Sequence, residues 1–155
     1  MKGNDKVIAK LNDLLADELT AISQYMVHAE MCDNWGYKKL AEAVEKRAID
    51  EMKHAEMHIG RILYLEGKPI VSDLKKITIG QEVEGQLSND HSAEVGAIQS
   101  YNDGIKICVE LADNGTREMM EKILKDEEAH IDWIEAQLDQ IKQMGVQNYL
   151  VEQIG

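Results

Sequence analysis

The chain has 155 residues, a length typical of one domain and sufficient to bury most of the surface that the unfolded chain exposes. Its formal net charge is −12 at pH 7, and no cluster of lysine and arginine stands out. This charge argues against nucleic acid and anionic membranes as partners, and it suits an attraction for cations. With 44% hydrophobic residues and a single proline, the composition favours helices.

The N-terminal segment shows no targeting signal. Residues 1–6 lead directly into an amphipathic pattern, without the apolar core or the cleavage site of a signal peptide. No apolar run approaches the roughly 20 residues that a membrane helix needs. Cys32 and Cys108 form no Cys-x-x-Cys pair, which favours two reduced, buried thiols. We therefore expect a cytoplasmic protein that does not bind membranes.

Apolar positions spaced three and four residues apart predict four long helices, over about residues 5–34, 36–65, 82–112 and 116–144. Residues 66–81 lack this pattern and contain Gly67, Pro69 and Gly80 as helix breakers. Sixteen extended residues reach at most about 50 Å, whereas a helix of 28 residues is about 42 Å long. The segment can therefore cross the length of a bundle. A short fifth helix, about 147–154, is expected to pack against other subunits.

Each of the four predicted helices carries a glutamate inside its apolar stripe. Glu18 and Glu51 interrupt the first and second helices, and Glu94 and Glu127 interrupt the third and fourth. A carboxylate on the core face of a helix is costly unless it is paired with another group or bound to a metal. The alternative is that these are ordinary surface or salt-bridge acids. Interruption of four separate stripes at symmetric positions argues against that alternative.

A Glu-x-x-His unit occurs in the second and again in the fourth predicted helix, and this spacing places both side chains on one helical face. In each case another glutamate lies 33 positions upstream, and one offset of 76 positions carries the first set of three residues onto the second. The same offset relates Tyr25 to Tyr101 and Cys32 to Cys108. The pattern predicts two related helical hairpins, each supplying three ligands to a shared centre. These ligands are Glu18, Glu51, His54, Glu94, Glu127 and His130.

Carboxylate oxygens with a few imidazoles suit iron or manganese, whereas zinc prefers fewer ligands and often sulfur. Six protein ligands are enough to bridge and cap two metal ions. Four glutamates and two histidines on four helices are the ligand set of ferritin-like di-iron and di-manganese proteins. We therefore expect an all-α, ferritin-like four-helix bundle, made of two hairpins joined by a long crossover.

Several motifs resemble those of the bacterioferritins, and the resemblance covers essentially the whole chain. It implies a hollow homo-oligomeric shell of twenty-four subunits built from dimers. Such a shell oxidises Fe(II) with dioxygen or peroxide and stores the ferric product as a mineral. The motifs are Met1-Lys2-Gly3, DEMKHA at 50–55, RIL at 61–63, LEG at 65–67, DEEAHIDW at 126–133 and MGVQNYL at 144–150.

The resemblance implies a role for each predicted ligand in a di-iron ferroxidase centre. Glu51 and Glu127 would bridge the two iron ions, Glu18 and Glu94 would be terminal ligands, and each histidine would hold one iron. Two adjacent Fe(II) ions can each give one electron to a bound oxidant, while carboxylates stabilise the ferric product. The protein then fixes the spacing of the metals and the access to them.

Met52 matches the methionine that binds a b-type haem in the family, one from each of two chains at a twofold interface. It directly follows Glu51, so its side chain is turned about 100° away from the bundle axis. A thioether is a known axial haem ligand, and the absence of Cys-x-x-Cys-His excludes covalent attachment. Without the resemblance, packing is the commoner role of such a methionine. The haem is expected to pass electrons to the mineral during iron release, with a ferredoxin as redox partner.

Other positions match family residues with secondary roles. Tyr25 and Trp133 match aromatics that flank the centre and are expected to pass electrons, although core packing is the simpler interpretation of the residues alone. Asp50 matches an inner-surface iron site, but Lys46 replaces the histidine found beside it in some members. His58 stands where some members carry a third tyrosine. Four residues match the lining of channels between subunits, with solvated helix ends as the alternative: Asn34, Glu66, Asp132 and Asn148.

Two other function classes stay open on the sequence alone. One is a di-iron peroxidase of the rubrerythrin kind, which usually needs an electron-transfer domain with paired cysteines. The other is a structural bundle with a metal staple, or a subunit that mainly carries haem in a mixed shell. The complete set of six ligands argues against a subunit that has lost its ferroxidase site. His28 and His91 have no symmetric partners and receive no role.

Overall fold

A computed structural model describes all residues, 1–155, as five helices without any strand. The fifth helix is shorter than expected, because residues 152 and 153 donate backbone hydrogen bonds three residues back and form a turn. The predicted all-α architecture, four long helices with a short fifth helix, is confirmed. None of the helices has both the length and the apolar character needed to cross a membrane. The helices are α1 (Asp5–Asn34), α2 (Lys38–Tyr64), α3 (Val83–Glu110), α4 (Asn114–Met144) and α5 (Val146–Val151).

The four long helices form two hairpins, α1 with α2 and α3 with α4, joined by the crossover between Tyr64 and Val83. Their buried apolar residues form two clusters at opposite ends of the bundle. One contains Leu11 and Ile123, and the other contains Leu40 and Ile141. Each helix passes from one cluster to the other, so its middle turns lie between them. The glutamates predicted from the apolar stripes occupy these middle turns.

Local sequence sets the ends of the helices. The Asn4 side chain accepts a hydrogen bond from the backbone N–H of Lys6, and the Asp113 side chain accepts one from the N–H of Thr116. These side chains satisfy N–H groups that the first turns of α1 and α4 leave free. Gly145 ends α4 with φ of +81°, a conformation that favours glycine.

A buried polar cluster fixes the end of the crossover to the bundle and gives His28 a structural role. The His28 ring accepts a hydrogen bond at Nε2 from the Gly80 N–H (3.0 Å) and donates one from Nδ1 to Asp90 Oδ1 (2.9 Å). Gln24 donates to the same oxygen (2.8 Å) and accepts from the Thr78 N–H (3.1 Å). His28 is fully buried, so these contacts replace water that the ring and the backbone have lost.

We expect Gly80→Ala to destabilise the protein, because the new Cβ would lie 2.3 Å from the backbone nitrogen of Gln86. Overpacking of this kind costs about 1–3 kcal/mol. Gly60→Ala is the matched control, because its Cβ would meet no atom within 4 Å and alanine favours the helix by about 0.5–1 kcal/mol. Thermal unfolding of the metal-free protein should show opposite shifts. Equal unfolding temperatures for the two variants would contradict this account of the crossover.

Candidate metal centre

Six ionisable side chains converge in the middle of the bundle, and none of them is more than 3% exposed. They form two groups of four, and within each group one candidate ligand atom per residue lies within 4.8 Å of the others. Glu51 and Glu127 belong to both groups. The first group adds Glu18 and His54, and the second adds Glu94 and His130.

The distances define two neighbouring positions. His54 Nδ1 lies 3.0 Å from Glu127 Oε1, 3.6 Å from Glu18 Oε2 and 3.7 Å from Glu51 Oε1. His130 repeats this arrangement. Its Nδ1 lies 3.1 Å from Glu51 Oε1, 3.6 Å from Glu127 Oε2 and 3.7 Å from Glu94 Oε1. The two rings are 6.3 Å apart, centroid to centroid. Only Glu51 and Glu127 contact both imidazoles.

The inward-facing atoms of the centre make no hydrogen bond with suitable angles, and the imidazole nitrogens among them lie 3.0 Å or more from the carboxylate oxygens. They comprise one oxygen each of Glu18, Glu51 and Glu94, both oxygens of Glu127, and the Nδ1 atoms of the two histidines. Buried polar atoms without partners are rare and costly. Because the unpartnered atoms are carboxylate oxygens and imidazole nitrogens facing one another, the donor set fits two cations such as iron.

The outer nitrogens of both histidines contact aspartates. The His54 Nε2 lies 2.9 Å from Asp126 Oδ2, and the His130 Nε2 lies 3.2 Å from Asp50 Oδ2. A hydrogen bond from Nε2–H to a carboxylate leaves Nδ1 available to a metal and fixes the orientation of the ring. Sequence reasoning missed Asp126, although the offset of 76 positions relates it to Asp50. Asp50 thus contacts a predicted metal ligand, His130. Its role at the inner surface stays a prediction.

Two buried tyrosines hold the outer glutamates. The Tyr25 hydroxyl donates a hydrogen bond to Glu94, and the Tyr101 hydroxyl donates one to Glu18. Burial and the nearby carboxylates raise both tyrosine pKa values well above the usual value, so the phenols remain protonated donors. Tyr101 was not predicted as a site residue, although the internal repeat pairs it with Tyr25.

His58 breaks the internal repeat. Its Nε2 lies 2.6 Å from the Tyr101 hydroxyl oxygen, and the two rings stack with centroids 5.8 Å apart. Because Tyr101 donates to Glu18, the His58 N–H donates to Tyr101. Burial lowers the pKa of His58 to about 3, so the imidazole is neutral at neutral pH. The position 76 residues later is Ile134, which is buried and apolar, so only one half of the centre has this extra hydrogen bond.

The centre holds protons in the absence of metal. Burial raises the pKa of Glu94 to about 8 and raises that of Glu18 well above its usual value. Burial alone would lower the pKa of His130, but neighbouring carboxylates outweigh it and raise the pKa to about 12. The pKa of His54 is raised for the same reason. A metal ion binding here must therefore displace protons.

We expect the affinity for a redox-inert divalent cation such as Co²⁺ to increase between pH 6 and pH 8. Raised pKa values mean that protons compete with the metal at neutral pH, and this competition weakens as the pH rises towards the pKa of Glu94. Calorimetry in buffers with different ionisation enthalpies should detect the release of protons on metal binding at pH 7. Binding that is independent of pH and of buffer would contradict this protonation state.

The remaining predicted residues are not part of the ligand cluster. Met52 is 46% exposed on α2. Trp133 is partly buried, and the Arg47 guanidinium lies 5.4 Å from the centroid of its ring. Lys46 and the predicted channel residues are all exposed, and those channel residues are Asn34, Glu66, Asp132 and Asn148.

A cavity of about 290 Å³ connects the centre with the surface between α1 and α3. Its inner part is formed by the four glutamates of the centre, and its outer part includes the exposed Ser92 and Gly96 and the crossover residue Lys75. Small side chains on α1 and α3 leave the space between the two helices unfilled, so the path stays open. These are Ala21, Ala93, Gly96 and Ala97.

Comparison with known proteins places this geometry in a family. Residues 8–144 match the model of the ferritin-like domain. The chain is 40% identical over 149 residues to the bacterioferritin of Brucella melitensis, covering 96% of this chain and 92% of the relative. Bacterioferritins of Mycobacterium avium (40% identical, 96% and 94% covered) and Rhodobacter capsulatus (38%, 96% and 92%) are similarly related. This chain therefore belongs to the ferritin-like family and, within it, to the bacterioferritins.

Proposed function

We propose that this chain stores iron and that its buried centre oxidises Fe(II) to Fe(III). The observation that carries the proposal is the pair of four-residue groups sharing Glu51 and Glu127, with their unpartnered oxygens and nitrogens facing inward. Two Fe(II) ions would be bridged by these two glutamates. Glu18 with His54 would complete one position, and Glu94 with the second histidine would complete the other.

The residues of the centre supply negative charge and fix the positions of the metal ligands. The two Fe(II) ions give two electrons, which reduce one dioxygen to peroxide or one peroxide to water, with protons taken up by the product. Four carboxylates offset the increase in positive charge as Fe(II) becomes Fe(III). Asp50 and Asp126 orient the imidazoles, and the two tyrosines orient the outer glutamates. We assign Tyr25 and Trp133 the further role of passing electrons to the centre.

We further propose a homo-oligomeric shell of twenty-four subunits with b-type haem between pairs of subunits. Met52 and Ile49 lie three residues apart on α2, and both are large apolar side chains exposed in the single chain, at 46% and 41%. An exposed thioether on such a face suits a haem shared with a second copy. Electrons for iron release would come from a ferredoxin, and the exposed channel residues would line passages between subunits.

We propose the cytoplasm as the location. Cys32 and Cys108 are both buried free thiols, which is consistent with a reducing compartment.

A di-iron peroxidase remains the second candidate on the ligand set alone. The formation of a ferric mineral separates the two functions, since a peroxidase would turn over peroxide without storing its metal.

The first test measures ferric absorbance after addition of two Fe(II) per chain in air. We expect a fast phase in the wild type and its loss, by about 10–100-fold in rate, in Glu94→Ala, since one position loses a ligand. Glu128→Ala is the matched control, because this glutamate is exposed and directly follows Glu127. A fast phase that survives in Glu94→Ala, or is equally lost in Glu128→Ala, would contradict the proposed centre.

The haem proposal is tested with Met52→Leu, which keeps an apolar side chain and removes the thioether. We expect the Soret absorbance of haem-reconstituted protein to be lost, because leucine offers no axial ligand to the iron. Met26→Leu is the control, since Met26 is also exposed, at 53%. Equal haem binding by the wild type and Met52→Leu would contradict ligation by Met52.

A further inference from the structure

The outer part of the cavity carries a lysine bound to two aspartates. The Lys75 Nζ lies 2.6 Å from Asp17 Oδ1 and 2.8 Å from Asp13 Oδ1. Lys75 and Asp17 both line the cavity, and Asp17 directly precedes the predicted ligand Glu18. The ammonium group therefore lies on the path that a small cation would follow from the surface to the centre.

The crossover holds this lysine in place through its backbone. The Lys75 N–H donates a hydrogen bond to Thr20 Oγ1 (2.9 Å), and the buried Thr20 hydroxyl donates to the Ala16 carbonyl (2.7 Å). The Lys75 side chain, in contrast, is 44% exposed. A fixed backbone with a long, partly solvated side chain allows the ammonium group to leave the aspartates without a change in the fold.

The ion pairs offset the negative charge of Asp13 and Asp17 at the approach to the centre, in a chain whose net charge is −12, and Lys76 adds a further positive charge to the cavity lining. Lys10 contacts the second oxygen of Asp13 (3.3 Å) and the Ser100 hydroxyl (2.8 Å), which also lines the cavity. Two ammonium groups thus face the carboxylates of Asp13 and Asp17. With Lys75 displaced, the two carboxylates would face a single ammonium group and would attract a divalent cation.

We propose that Lys75 is an electrostatic gate on the cavity. Its ammonium group occupies the carboxylates of Asp13 and Asp17, and an arriving divalent cation displaces it before passing inward to Glu18 and Glu94. Lys75 is thus a positioning residue that slows loading of the centre and does not take part in oxidation. The identity of the cation as Fe(II) rests on the proposed function, whereas the gate itself concerns any divalent metal that the centre binds.

The test follows Co²⁺ binding to metal-free protein by stopped-flow absorbance, with no oxidation step. We expect Lys75→Gln to bind Co²⁺ about 3–10-fold faster than the wild type at low ionic strength, because removal of a positive charge strengthens steering of the cation. The difference should shrink as salt screens the charges. The final amount of bound Co²⁺ should not change, since the ligands of the centre are untouched. Stability should change little, because exposed ion pairs contribute about 0–1 kcal/mol.

Two controls separate the gate from a general effect of charge. Lys75→Arg keeps the positive charge and should bind Co²⁺ close to the wild-type rate. Lys122→Gln removes the same charge from an exposed position on α4 outside the cavity and should leave the rate unchanged. An unchanged rate in Lys75→Gln, or an equal increase in Lys122→Gln, would overturn the proposal.

A further variant tests the route itself. Gly96 lies at the outer part of the cavity, and a Cβ added there would meet no atom within 4 Å, so Gly96→Leu should fold while narrowing the path. We expect slower Co²⁺ binding in this variant, with or without Lys75→Gln. Unchanged rates would show that cations reach the centre elsewhere, which would overturn the gate. A Co²⁺ spectrum unaffected by Glu94→Ala would instead contradict the proposed function.

Discussion

The burial of four carboxylates in the middle of one helical bundle is the constraint on which the rest of this structure depends. Without cations, burial raises the pKa values of Glu18 and Glu94, whereas at Glu127 burial is outweighed by hydrogen bonds from its neighbours, which lower its pKa, and the two imidazoles become charged. Two apolar clusters, one at each end, fix the helices on either side and hold the carboxylates together. The same packing that excludes water from the centre therefore holds a set of donor atoms that fits metal ions.

The sequence predicted much of this architecture because one signal was repeated four times. An acid inside an apolar helical stripe indicates a side chain whose position packing alone does not explain. The Glu-x-x-His spacing then places a histidine on the same helical face as the glutamate. Helix periodicity then gives the bundle, and the constant offset pairs the two hairpins. The structure accordingly brings Glu18, Glu51, Glu94 and Glu127 together with both predicted histidines.

Contacts between hairpins were harder to predict, because periodicity describes one helix at a time. Tyr101 holds Glu18 across 83 positions, and Asp126 reaches His54 across 72. The crossover has no periodicity, so neither the anchor at His28 nor the position of Lys75 over the cavity follows from local sequence. In each case the residue type was visible, but its partner depends on how the two hairpins pack.

One departure from the internal repeat, His58 opposite Ile134, makes the hydrogen bonding of the two halves of the centre different. Glu18 is held by a tyrosine that itself receives a second hydrogen bond, whereas Glu94 is held by a tyrosine whose only hydrogen bond is to that glutamate. A more tightly held ligand loses less conformational freedom on coordination. The two halves of the centre therefore hold their outer glutamates with unequal numbers of hydrogen bonds, although each half offers the same types of donor atom.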